Sequence, residues 1–406
     1  MGETGFANGE AEIVLERACQ SHGVCAHLRR ESAAMKILMT SHYTLPHRGG
    51  IETIIEKLSL ALNEHGMEVR IVSSMVEGQD AFDRPGREII GVPALDPLRR
   101  HGVHYPIFAP ALFSVLYREA RQADLIHVQG MLYMNSLLAL LFARLFGRPA
   151  VLTEHAGFVR YTRPFFNFIQ SIGVQTIGRL SLALSDVVIV PDVIVQQILE
   201  EELGVLPGKI VRIPFGVDTD IFHPLTEEEK RSLRMTLGWD ERPKVLFVGN
   251  YVARKRISLL LEALSERFDL VLCGEGYSRA ALPNRVMLYP PLGHEQLAQL
   301  YQAADLFVVP SSVETFAIVA YEAMACGLPV IMTDDLLHLT IRDSGLVEFV
   351  SPTAAGLRTA IHNLLDQPLE CHRIGQESAR WVREHFAWKI SVQQHLELYR
   401  SLLRLG

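Results

Sequence analysis

Cysteine is scarce: five in 406 residues, at Cys19, Cys25, Cys273, Cys326 and Cys371, an odd number without the paired spacing of a zinc site. Neither a disulfide framework nor a structural metal centre is expected, and the usage fits a reducing compartment, the cytoplasm. Long apolar runs are missing too. The greasiest stretch, Met131 to Phe146, is interrupted by Asn135, Ser136 and Arg144 and falls short of the ~20 apolar residues of a membrane span; it reads as a buried helix. Positive charge is not in excess, with 39 Lys and Arg against 46 Asp and Glu for a net charge of −7. The overall field therefore does not gather nucleic acid.

What is present is an ordinary globular composition, 49% hydrophobic and 21% charged, which excludes wholesale disorder and collagen-like repeats. The length exceeds what one core supports and predicts two domains. Residues 1–34 mix Glu10, Glu12, Glu16 and Arg17 through their apolar positions and lack the apolar core of a signal peptide. They read as an extension ahead of the first strand, with Met35 a second candidate start.

From Met35 the pattern is strand then helix: Lys36 to Thr40, a Pro/Gly loop at Pro46 to Gly50, an amphipathic helix over Ile51 to His65 and a strand at Val69 to Ser73. Buried-strand signals recur at Leu125 to Val128, Ala150 to Thr153 and Val187 to Val190. A turn-rich stretch, Pro214 to Pro243, precedes a restart of the alternation at Val245 to Val248, then Leu270 to Cys273, Val286 to Leu288, Leu306 to Val309 and Pro329 to Met332. Helices are expected around Ile257 to Arg267, Leu297 to Ala303, Thr315 to Ala325 and Ile390 to Leu405. This is α/β alternation of parallel sheets, twice over. The expected division is an extension at 1–34, a first Rossmann-like domain at 35–215 and a second at 216–387, facing a central cleft, with 388–406 packing back on the first. In such sheets ligands bind beyond the carboxyl ends of the strands, so the loops after Thr40, Thr153, Val248 and Val309 are the place to look.

The strongest local signal is Pro310 to Val330, which holds Glu314 and Glu322 with seven residues between them. On one continuous helix the two would lie about 80° apart around the axis and ~12 Å apart along it, a span that suits ribose and hexose on either side of a diphosphate. Ionised carboxylates bind vicinal hydroxyls strongly, and the helix start at Thr315, Phe316, Ala317 and Ile318 would add backbone donors for phosphate.

This segment resembles the signature of retaining GT-B glycosyltransferases, in particular glycosyltransferase family 4: Glu, seven residues, then Glu-Ala-Met-Ala-Xaa-Gly-Xaa-Pro-Val. The resemblance runs in order through Pro46 to Glu52, Asp124 to Gly130, Thr153 to Gly157 and Gly216 to Pro224. It departs where Thr315 and Ala317 replace customary glycines and where Asn250 stands in place of an arginine. The resemblance implies a GT-B fold and transfer of a hexose from a UDP-, GDP- or ADP-sugar to a sugar or lipid-linked hydroxyl with retention of configuration. No metal or further cofactor is implied. Glu322 would hold the ribose and Glu314 the hexose; Gly49 and Gly50 would face the phosphate or acceptor side, and His155 the transferred sugar. Lys255 would neutralise the diphosphate, with Arg254 or Arg256 replacing the charge missing at Asn250. His155, Lys255 and Glu314 are thus the expected catalytic set. His127 is expected to be structural.

Asp218-Thr219-Asp220 resembles a metal motif but falls in the Gly-Val-Asp loop, and Gly274-Glu275-Gly276 lacks the third glycine of a dinucleotide fingerprint because position 279 is Arg. The basic and aromatic stretch Phe158 to Leu180, with Arg160, Tyr161, Arg163, Phe165, Phe166, Phe168 and Arg179, fits either peripheral contact with the inner face of an anionic membrane or a half-buried helix. The rival activities are a sugar-nucleotide epimerase or hydrolase, and an inactive nucleotide-sugar-binding subunit.

Overall fold

The computed structural model describes residues 34–44, 50–76, 88–99, 105–155, 164–314, 316–335 and 339–405. Gly49, Thr315, the extension before Ala34 and the Phe158 to Arg163 part of the basic stretch lie outside the described residues. The chain divides into two units, one ending at Pro214 and resuming at Val392, the other spanning Phe215–Ser391.

The first unit is an eight-stranded sheet of order β4-β3-β2-β1-β5-β6-β7-β8. Its strands are β1 (Met35–Thr40), β2 (Met67–Met75), β3 (Glu88–Leu95), β4 (Ile107–Phe108), β5 (Leu125–Gln129), β6 (Ala150–Thr153), β7 (Val187–Val190) and β8 (Ile210–Arg212). All pairs are parallel except β3 with β4. The central strands β5, β6 and β7 are buried at every position, which is why they read as largely apolar runs, interrupted in β5 by His127 and Gln129 and closed in β6 by Thr153. The helices are α1 (Gly50–Glu64), α2 (Ala111–Gln122), α3 (Met134–Phe146), α4 (Pro164–Gly173), α5 (Arg179–Leu184) and α6 (Val193–Glu201), with a π-helical turn at Val174–Gly178 between α4 and α5. The polar interruptions in α3 are pins into the sheet: the Asn135 side-chain amide donates to Ser41 O at 2.8 Å and the Ser136 hydroxyl to Gln129 O at 3.1 Å. A hydrogen bond made away from water stabilises, and an unmade one there costs more. The same helix is not wholly buried as expected, because Met134, Leu141 and Leu145 face outward.

The second unit is a six-stranded sheet, order β11-β10-β9-β12-β13-β14, parallel throughout. It comprises β9 (Lys244–Val248), β10 (Asp269–Cys273), β11 (Val286–Tyr289), β12 (Leu306–Val309), β13 (Val330–Thr333) and β14 (Val347–Val350). Its helices are α7 (Glu227–Thr236), α8 (Ile257–Ala263), α9 (His294–Ala303), α10 (Ile318–Ala325), α11 (Leu339–Asp343), α12 (Ala354–Leu365) and α13 (Pro368–His385), and α14 (Trp388–Leu405) then returns the chain to the first unit. α7 opens on a capping box in which Thr226 and Glu229 satisfy each other's backbone donors.

In each sheet the strand order reverses once beside its first strand, between β1 and β5 and between β9 and β12. Loops leaving the carboxyl ends of two such strands diverge and open a crevice. The residues singled out in the second unit sit at its reversal.

Candidate active site

The loop after β9 is braced from behind by the loop after β10. Gly249 and Gly274 have φ of 151° and 150°, and a Cβ on Gly274 would lie 2.2 Å from Gly249 O, closer than any side chain tolerates. Asn250 Oδ1 accepts the Glu275 N–H at 3.0 Å, and the Tyr251 N–H donates to Glu275 O at 2.7 Å. Gly274-Glu275-Gly276 is therefore a brace, and the Asn250 side chain is occupied in holding it.

Further along, the three cations diverge. Lys255 Nζ lies 2.5 Å from Glu314 Oε1, and Arg254 Nη1 lies 3.8 Å from Glu314 Oε2. Arg256 adopts the left-handed region, φ 47°, and its guanidinium turns to Asp335 at 2.6 Å. The Ser312 N–H donates to Arg254 O at 2.8 Å, fastening the β12 loop to the β9 loop. Arg254, Lys255 and Glu314 thus meet where β9 and β12 part, while Asn250 and Arg256 are directed elsewhere. The Lys255 and Glu314 side chains are 12% and 11% exposed, so their charges are little screened yet reachable by a ligand.

The two glutamates do not share a helix. α10 begins at Ile318, and Glu314 lies in the loop before it. The expected row of open amides is also shorter, because the Ile318 N–H donates to Phe316 O at 2.5 Å. The cause is the Phe316 ring, which stacks on Tyr321 at 4.6 Å and meets Phe215 edge-on at 5.2 Å; burying it pulls the segment into a turn before the helix starts. Ala317 is buried beside it. The Phe316 and Ala317 side chains are therefore taken up in the core beneath the loop that carries Glu314. Glu322, on the second turn of α10, is buried and accepts the Tyr301 hydroxyl at 3.1 Å. Burial and the Glu322 charge push the Tyr301 phenol well above its usual range, so it stays a donor that orients this carboxylate.

In the first unit, His155 follows β6 and is buried. Its Nε2 lies 2.8 Å from Gln129 Oε1 at the end of β5. Desolvation pulls its pKa down to about 3, so near neutrality it is an uncharged hydrogen-bonding group. Glu154 beside it accepts the Met131 N–H at 2.9 Å. His127 is fully buried among Thr153, Gln129 and Tyr399. Gly50 opens α1. Two features were not read from the sequence: the stacking of His42 on Tyr133 at 4.0 Å beyond β1, and the contact of Gln129 with His155. Placement at a strand's carboxyl end was the available signal for both. Among the described residues no group of three His, Cys, Asp or Glu is arranged to hold a metal, and Asp218 serves its loop through its carbonyl, which accepts the Phe222 N–H at 2.8 Å.

Comparison with known families divides within about fifteen residues of the boundary between the two units. Residues 48–221 match the family described as Glycosyltransferase Family 4 and residues 229–381 the family described as Glycosyl transferases group 1. The chain belongs to the family 4-type glycosyltransferases. A D-inositol 3-phosphate glycosyltransferase of Rhodococcus opacus is 31% identical over 228 residues, which is 50% of each chain, so the match spans about half the length of that relative. A GDP-mannose-dependent alpha-(1-6)-phosphatidylinositol dimannoside mannosyltransferase of Mycobacterium tuberculosis is 25% identical over 87% of this chain and 93% of its own. Among solved structures, sucrose-phosphate synthase from Thermosynechococcus elongatus superposes with a TM-score of 0.73 at 23% identity, covering 92% of this chain and all of that one. The architecture is GT-B, as in these glycosyltransferases.

Proposed function

We propose that this family 4-type protein transfers a hexose from a nucleotide-sugar to a hydroxyl acceptor with retention of configuration. The observation that carries the reading is the convergence of Lys255, Arg254 and Glu314 at the reversal between β9 and β12. A diphosphate entering there draws Lys255 from Glu314, and the freed carboxylate takes hexose hydroxyls. Lys255 and Arg254 then stabilise the charge that develops on the leaving nucleoside diphosphate, with no metal needed for that task. Glu322, oriented by Tyr301, holds the ribose. His155, uncharged and buried, hydrogen-bonds the transferred sugar. Thermal-shift screening of UDP-, GDP- and ADP-sugars, with GDP-mannose first in view of the Mycobacterium tuberculosis relative, identifies the donor. Incubation with that donor then separates the readings: acceptor-dependent release of the diphosphate supports transfer. Release of free sugar at the same rate without acceptor, or its epimerisation, refutes it.

The acceptor is proposed to be lipid-linked and met at the cytoplasmic face of a membrane. The support lies in the outer helices of the first unit. α4 buries none of its side chains and exposes Phe165, Phe168, Ile169 and Ile172 at 65%, 63%, 50% and 47%. Their spacing puts all four on one face. Between Asp124 and Asp186 the only carboxylate is Glu154, which is buried, whereas the same span has five arginines, of which Arg144 pairs with Asp186 at 3.0 Å and Arg148, Arg160, Arg163 and Arg179 remain. Within a chain of net charge −7, that span suits an anionic bilayer surface. No described helix is long and apolar enough to cross a membrane.

A further inference from the structure

Four buried side chains of the first unit form one hydrogen-bonded run. The Tyr399 hydroxyl on α14 lies 2.6 Å from His127 Nδ1 on β5, 272 residues away in sequence. His127 Nε2 lies 2.7 Å from Thr153 Oγ1 and 3.2 Å from the side-chain nitrogen of Gln129. Gln129 Oε1 in turn lies 2.8 Å from His155 Nε2. The Gln129 amide is the asymmetric link, since its nitrogen can only donate and its oxygen only accept.

With the amide nitrogen turned to His127, that ring presents a lone pair at Nε2, to which the closer Thr153 hydroxyl then also donates. Its proton then sits on Nδ1, facing the Tyr399 oxygen. With the amide oxygen turned to His155, that ring must carry its proton on Nε2 and keep the lone pair on Nδ1. Both rings are neutral, because burial depresses both, and His395, whose ring is 6.2 Å from that of His127, adds to the effect there together with His155. A neutral imidazole has one N–H, so the amide selects both tautomers, while the Tyr399 and Thr153 hydroxyls, which donate or accept, complete the pairing it selects. Reversing the amide reverses both tautomers together.

We propose that the Gln129 amide, held in this orientation through His127 and its partner Tyr399, is the positioning group that sets the tautomer of His155, and so decides whether it offers the transferred sugar an acceptor or a donor. The inference rests on the reading that His155 meets that sugar. It gives the last helix of the chain a part in the chemistry without a contact to substrate.

Long-range 1H–15N correlation spectra of the intact, histidine-labelled protein at neutral pH distinguish Nε2–H from Nδ1–H directly. The expected result is Nε2–H for His155 in the wild type and a shift to mixed or reversed tautomers in Tyr399→Phe and Gln129→Met. In those variants kcat falls on the order of ten-fold with donor KM changed by less than about two-fold, because the lost interaction belongs to the transition state. Gln129→Glu, which accepts from both rings, keeps His155 as Nε2–H and recovers most of the kcat that Gln129→Met loses. An Nδ1–H wild-type His155 overturns the proposal without any variant. So does a folded Tyr399→Phe in which neither tautomer nor kcat moves. His155→Ala separates the two levels: full activity there removes the underlying role of His155, whereas a dead His155→Ala beside an unaffected Tyr399→Phe removes only the relay.

Discussion

At the scale of single residues, the site is a competition among charges. Lys255 and Glu314 already hold one another, and a ligand must offer each a better partner. Arg254 and Arg256 look equivalent in sequence and are not, because only Arg254 reaches Glu314 while Arg256 is paired with Asp335. Arg254→Ala should weaken donor binding or turnover about ten-fold, a loss of about 1.4 kcal/mol, and Arg256→Ala should change either by less than about two-fold; steady-state kinetics with the identified donor decide it. A second prediction concerns pH. The folded pKa of His155 is about 3, below the ordinary 6.5, so as pH falls through 6.5 the unfolded chain takes a proton that the folded chain refuses. His127 shifts in the same direction. Stability must therefore drop between pH 6.5 and 3, by about 2 kcal/mol at pH 5 for His155 alone. The fall in unfolding midpoint from pH 7 to pH 5 should be smaller in His155→Gln, and an equal fall in both proteins would show that the burial of this ring is not what the pH is acting on.

At the scale of elements, legibility followed burial. The strands β5, β6, β7, β9, β10 and β12 announce themselves because both their faces are covered and every position is apolar or nearly so. β3 was not read because Gly91 and Pro93 interrupt it, and the two residues of β4 are too few for any period. The start of α10 was misplaced by three residues because Glu-Thr-Phe-Ala is compatible with helix locally, and only packing of Phe316 on Tyr321 shows that it turns first. Family resemblance singles out Lys255, Glu314 and Glu322 as candidates; it has no means of showing that Asn250 braces the β10 loop, since that contact joins residues 25 apart. The brace is testable at Gly274. Gly274→Ala puts a Cβ 2.2 Å from Gly249 O at φ 150°, so it should cost about 2 kcal/mol or more in urea unfolding and should weaken donor binding, while an unchanged midpoint would mean the two loops are free of one another.

At the scale of the whole molecule, two sheets of similar α/β construction present different surfaces. The second unit holds the charged residues expected to meet the donor, and in the first the helices α3, α4 and α5 bear Arg144 and Arg179 but no carboxylate, with the apolar face of α4 exposed. The protein should therefore float with vesicles containing anionic phospholipid, and Phe165→Ser with Phe168→Ser should abolish flotation without changing turnover on a water-soluble acceptor. Raising the salt should weaken the wild-type association, because exposed charges are screened; no flotation at low salt would remove the membrane reading. The central claim is that Lys255 and Glu314 separate around a nucleotide-sugar diphosphate. Calorimetric titration of the intact protein and of Lys255→Ala with the nucleoside diphosphate found by screening tests it most directly. The account predicts at least about ten-fold weaker binding in the variant, and equal affinity of the two proteins would contradict it.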